Sequence, residues 1–129
     1  KCFVFHSSAR FLNAGNCRYF SPMHLQLITD TRLQSRFSHF ELGARAFRAG
    51  GPLVQYRNKD YVPERDLEDL RRLVALADQY GAKVIVNDSM ALAAEAGAQA
   101  LHLGKNDGSP TEARALLGDG VMIGATEHD

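Results

Sequence analysis

The sequence predicts an α/β fold built on a parallel sheet, and three observations predict it. From Met23 onward, short apolar runs of strand length alternate with segments of helical period. The helical segments repeatedly end in a glycine just before the next run, at Gly50, Gly81, Gly97 and Gly118. The connections are short, and strands separated by helices pair in parallel through right-handed crossovers.

Leu25 to Thr29 reads as the first strand. Ser38 with Glu41 makes a capping box that opens a helix through Ala49, and Gly50-Gly51 supply its left-handed stop. Pro52 to Arg57 is the second strand. Pro63, the acids Glu64, Asp66, Glu68 and Asp69, and the apolar Leu67, Leu70, Leu73, Val74 and Ala77 predict a helix that stops at Gly81. Ala82 to Val86 is apolar apart from Lys83, as a strand covered on both faces requires, and a short helix near Met90 to Ala96 follows. Gln99 to Leu103 is the fourth strand. Ser109-Pro110-Thr111-Glu112 starts a helix that closes at Gly118, before a fifth strand from Val121 to Ala125.

Composition narrows the function classes. A length of 129 residues with 45% hydrophobic content is enough for one domain with a sizeable core. A formal charge of zero argues against the concentrated basic field that nucleic acid or an anionic membrane surface needs, so small molecules are the expected partners. Cys2 and Cys17 are the two cysteines, too few for a disulfide framework or a four-ligand zinc site, and a reducing, cytoplasmic setting fits them. No apolar stretch approaches the roughly 20 residues that cross a bilayer. Residues 1–22 carry Lys1, Arg10 and Arg18 but no acid and have no sustained period. They are expected to be an N-terminal appendage, an upstream remnant, with a targeting segment or an extra strand from Phe3 to Phe5 as alternatives. Residues 23–129 form the domain.

Each strand stops at a polar cluster. The clusters are Thr29-Asp30, Gln55-Tyr56-Arg57-Asn58-Lys59, Asn87-Asp88, His102-Leu103-Gly104-Lys105-Asn106-Asp107 and Gly124-Ala125-Thr126-Glu127-His128. Ligands of parallel α/β sheets gather at the carboxyl ends of the strands, where all of these fall. Together they supply the two charge signs that bind a magnesium diphosphate, which points to an enzyme. Two architectures share the local pattern. One is a (β/α)8 TIM barrel, here an incomplete barrel of about five β-α units, since a whole barrel takes about 200 residues or more and three further units would lie beyond Asp129. The other is an open five-stranded parallel sheet of the doubly wound kind, which the lack of a glycine fingerprint weakens. Strand order separates them.

These motifs resemble the thiamine phosphate synthase family of (β/α)8 barrels. The family pattern is Gln-Leu-Arg-x-Lys after a strand, then Asn-Asp, then His-Leu-Gly-Gln-x-Asp, then Gly-x-Ser-x-His, and the chain follows it in order and spacing from about Leu25 to its end. Tyr56 stands for the usual Leu, Lys105 for the usual Gln and Thr126 for the usual Ser. The resemblance implies a transferase that joins hydroxymethylpyrimidine diphosphate to thiazole phosphate and releases diphosphate. It implies that Arg57, Lys59 and Thr126 are catalytic, and that Gln55, Asn87, His102 and Lys105 bind substrate beside them. It implies Mg2+ as cofactor, held by Asp88 and Asp107, since a hard divalent ion bridges one or two carboxylates to substrate phosphates. Side chains alternate along a strand, so Gln55, Arg57 and Lys59 are expected on one face if strand geometry persists, with Tyr56 turned toward the helices.

Each residue alone has a plainer reading. Arg57 and Lys59 could pair with Asp60 on a solvated rim, Asp88 could serve the helix start at Ser89, His102 could be a bonded core histidine, and Asp107-Gly108 could be a turn. Lys105 could reach the diphosphate or pair locally with Asp107, and the first is expected because a charge-assisted contact outweighs an exposed pair. Three other functions stay open: a thiazole tautomerase-like barrel, which Asp88 and Asp107 argue against, a non-catalytic ligand-binding or assembly fragment, and an open five-stranded sheet that binds a phosphorylated small molecule. Sheet edges left by five strands would also admit a homo-oligomer.

Overall fold

The computed structural model describes residues 25–126. Residues 1–22, with the alternative strand at Phe3 to Phe5, lie outside them. Strands and helices alternate as β1 (Gln26–Thr29), α1 (His39–Arg48), β2 (Leu53–Tyr56), α2 (Pro63–Gln79), β3 (Lys83–Asn87), α3 (Met90–Ala96), β4 (Ala100–Leu103), α4 (Pro110–Leu117) and β5 (Met122–Ala125). The helix signals act as the sequence implies. Ser38 and Glu41 close a capping box on α1, Ser109 and Glu112 close another on α4, and Pro63 opens α2. The α2 start has no side-chain cap; Asp66 reaches back instead to accept the Val62 N–H at 2.8 Å.

Strand order decides the architecture. The sheet runs β1-β2-β3-β4-β5 with every neighbour parallel, in sequence order. A doubly wound sheet reverses its order at a switch point, whereas a (β/α) barrel adds each strand beside the last. The five strands are therefore an open arc of the barrel type, and the doubly wound alternative is set aside.

Register explains the two cores. Ile28, Gln55, Ile85, Ala100 and Met122 lie level across the sheet and face its inner side, where Leu53, Ile85, Ala100 and Met122 form a small apolar cluster. Alternate residues Val54, Tyr56, Val84, Val86, Leu101, Leu103 and Ile123 turn outward to join Phe47, Leu70 and Leu73 of the helices in the larger core. Helices α1 and α2 meet closely at Gly43, where an added Cβ would fall 2.6 Å from a Leu73 methyl. No described helix is long and apolar enough to cross a membrane.

Candidate active site at the carboxyl ends of the strands

The inner face ends in a polar layer. Asn87 and His102 lie level with Gly124, and Asp30 and Arg57 continue that level from β1 and β2. Arg57 is ion-paired with Asp30, whose side chain is 8% exposed and whose other oxygen accepts the Arg32 N–H at 2.9 Å. The strand β2 ends at Tyr56, one residue earlier than its sequence pattern suggests, because the Arg57 N–H leaves the ladder for Thr29 Oγ1 at 3.3 Å. Thr29 Oγ1 in turn meets His39 Nδ1 at 2.8 Å, so the start of α1 braces the backbone of Arg57.

Lys59 reaches the mouth by a different route from the one expected. It lies in a turn after β2, where Asn58 Oδ1 accepts the Asp60 N–H at 3.0 Å and the Asn58 amide bonds Tyr56 OH and Asp66. From there Lys59 forms an ion pair with Asp88. The plainer partner, Asp60, is taken by Arg32 through two contacts of 2.6 and 2.9 Å. Tyr56 points outward as expected, buried against the ring of His39, and burial pushes its phenol up to about 12.

Asp88 is released from capping duty, since Ser89 caps α3 by accepting the Leu92 N–H at 3.1 Å. Its φ of 70° makes it the one non-glycine residue at positive φ among the described residues, held there by its N–H bond of 2.8 Å to the His102 carbonyl. Backbone strain of this kind persists where the surroundings enforce it and clusters at functional sites. Asp107 does make a turn, accepting the Gly104 N–H at 2.8 Å, yet that turn aims it inward. A Cβ placed on Gly104 would lie 2.6 Å from Asp107 Oδ2 and 3.7 Å from Asp88 Oδ1, so the two carboxylates flank the same glycine.

The remaining expected residues fall around this centre. His102 Nε2 lies 2.9 Å from Thr126 Oγ1, Gln55 is buried on the inner face, and Asn87 is half-buried at the end of β3. Lys105 is exposed beyond β4 and makes no ion pair with Asp107. Sequence reasoning assigned no role to Asp30, Thr29 or His39. The signal available was an acid ending β1 beside an arginine ending β2.

The donor set suits a hard cation. Asp88 and Asp107 offer oxygen ligands from adjacent strand ends, and among the described residues no group of three or more His, Cys, Asp or Glu is placed to hold a metal. Magnesium commonly takes one or two carboxylates and completes its shell with water and phosphate, which fits a pair rather than a cage.

A family model for thiamine monophosphate synthase matches residues 25–129. The chain belongs to the thiamine monophosphate synthase family. A thiamine-phosphate synthase of Azoarcus sp. is 44% identical over 85 residues, covering 66% of this chain and 41% of that protein. One from Methylococcus capsulatus is 42% identical over 110 residues, covering 85% of the chain and 49% of the relative. Among solved structures, a thiamine phosphate pyrophosphorylase from Pyrococcus furiosus superposes with a TM-score of 0.71 at 26% identity, covering 82% of this chain and 50% of that one. The chain thus spans about half the length of the family members it matches.

Two results are expected from this geometry. Gly104→Ala leaves every charge in place but puts a methyl group between Asp88 and Asp107, against Asp107 Oδ2 at 2.6 Å. Titration with Mn2+ should show cation binding weakened by about tenfold or more, roughly 1.4 kcal/mol, while the urea midpoint moves little. Stability should also fall in mild acid. Burial holds both His39 and His102 below the usual histidine value of 6.5, with Asp88 and Asp107 partly opposing this at His102. The unfolded chain therefore takes up these protons first, so stability is full above that value and is lost as pH falls through it toward the lowered folded values. The urea midpoint should drop between about pH 7 and pH 5, and His39→Asn should flatten part of the drop.

Proposed function

We propose that this chain carries the diphosphate-binding portion of a thiamine phosphate synthase, a transferase acting on hydroxymethylpyrimidine diphosphate and thiazole phosphate. The observation that carries this is the meeting of Lys59, Asp88 and Asp107 at one strand-end mouth, with Arg57 and Asp30 on the adjoining strands. Asp88 and Asp107 would hold magnesium, which supplies positive charge to a diphosphate when bound. Arg57 and Lys59 meet the negative charge that develops on the diphosphate as its bond to the pyrimidine methylene breaks, and fixed cations at that point are worth most in the transition state. Lys105, free of Asp107, can add a further cation at the rim. Gln55, Asn87, His102 and Thr126 hydrogen-bond the pyrimidine and its leaving group, with Thr126 offering the hydroxyl in the place of the family serine. His102, whose burial favours the neutral imidazole, can donate Nε2–H to Thr126 Oγ1 and so leave the Thr126 hydroxyl hydrogen free for the ligand.

This reading goes with small-molecule partners and a cytoplasmic location. The paired carboxylates weigh against a thiazole tautomerase-like activity, which has no diphosphate to bind. Supplied with magnesium, the pyrimidine diphosphate and thiazole phosphate, the protein should release diphosphate. Turnover of a thiazole carboxylate without metal or diphosphate release would mark the tautomerase instead, and tight substrate binding with no release would mark a non-catalytic module.

A further inference from the structure

The three carboxylates at the mouth are held differently. Asp30 is nearly buried and has two partners, the Arg57 guanidinium and the Arg32 N–H. Asp107 is fastened to its own loop through the Gly104 N–H. Among the described residues Asp88 has a single side-chain partner, the Lys59 ammonium, and both groups of that pair are about one-third exposed, at 38% and 31%. An ammonium on a flexible four-carbon stem is the most easily displaced of these partners. The Asp88 backbone cannot follow it, because its left-handed conformation and its N–H bond to the His102 carbonyl hold the point from which the carboxylate projects.

We propose that Lys59 and the divalent cation compete for Asp88, and that arrival of a diphosphate resolves the competition by drawing Lys59 away. This rests on the reading that Asp88 and Asp107 hold the metal. The ammonium occupies one Asp88 oxygen while the other faces the Gly104 crevice, so an incoming cation meets a neutralised carboxylate and a like charge beside it. A diphosphate gives Lys59 a better acceptor, bearing several negative charges, and leaves Asp88 to the metal alone. By linkage, each ligand then raises the affinity of the other. The anchored turn keeps this motion local: Asn58 is tied to Asp66, Tyr56 and the Asp60 N–H, so only the Lys59 side chain needs to swing. The consequence is a mouth that takes the cation weakly by itself and favours cation and diphosphate together.

The test is titration of the protein with Mn2+ alone, free Mn2+ being counted by its electron paramagnetic resonance signal, for wild type, Lys59→Gln, Lys59→Arg and Asp88→Asn. Removing a partly exposed cation beside the site should tighten Mn2+ binding by about three- to tenfold in Lys59→Gln. Lys59→Arg, which keeps the charge, should stay near wild type, and Asp88→Asn should lose the site. Binding by Lys59→Gln that is equal to or weaker than wild type, with Asp88→Asn still losing it, overturns the competition and leaves the metal site standing. Indifference of Mn2+ binding to Asp88→Asn overturns both.

Discussion

Asp88→Asn should abolish the magnesium-dependent part of diphosphate binding, a loss of at least about a hundredfold, or roughly 2.7 kcal/mol. Asn is the informative replacement because it tolerates the left-handed conformation that Asp88 adopts at φ 70°, where Ala would add backbone strain of its own. Only the charge and one metal-binding oxygen are removed. The same change frees Lys59 from its ion pair. Binding of the pyrimidine diphosphate without metal should therefore persist or tighten slightly, since both cations then face the ligand unopposed by that carboxylate. Calorimetric titration with and without magnesium separates the two effects. A variant whose magnesium dependence equals that of wild type would remove Asp88 from the metal.

Phe47→Ala should be the most destabilising change in the helix-side core, by about 3 to 5 kcal/mol. Phe47 is 1% exposed, lies in the main cluster with Leu70, Leu73 and Val54, and stacks on Tyr80 at 6.4 Å between ring centres. Truncation leaves a cavity between α1, α2 and the sheet that buried neighbours in set rotamers fill poorly. The matched control is Leu116→Ala on α4, 57% exposed, which should stay within about 0.5 kcal/mol of wild type. Urea unfolding of the two variants checks this, and a Phe47→Ala midpoint close to that of Leu116→Ala would mean that α1 is not seated on the sheet through this ring.

The elements were legible where a local interaction fixes them. Ser38-x-x-Glu41 and Ser109-x-x-Glu112 close their boxes within one turn of helix, and Gly50, Gly81, Gly97 and Gly118 take positive φ at helix ends, so the sequence alone marks those boundaries. Strand alternation likewise placed Gln55 inward and Tyr56 outward. What the sequence hid depends on contacts across the sheet. The end of β2 is set by Thr29, far away in sequence, which takes the Arg57 N–H. Lys59 arrives through an Asn58 turn rather than by alternation, and the Arg57–Asp30 pair exists only once β1 and β2 lie in register. The left-handed backbone of Asp88 has no sequence signal, because nothing about an aspartate before a serine requires it. Strand order, which separates barrel arc from doubly wound sheet, is a property of the assembled sheet that no single segment encodes.

The measurement that bears most directly on the convergence of opposite charges at one mouth is a crystal of the protein grown with Mn2+ and inorganic diphosphate, with the metal located by its anomalous scattering. The account predicts a single strong peak between Asp88 and Asp107 beside Gly104, with a phosphate oxygen on the metal and Lys59 and Arg57 turned to the same diphosphate. A metal peak elsewhere, or a diphosphate bound away from these four side chains, would contradict it.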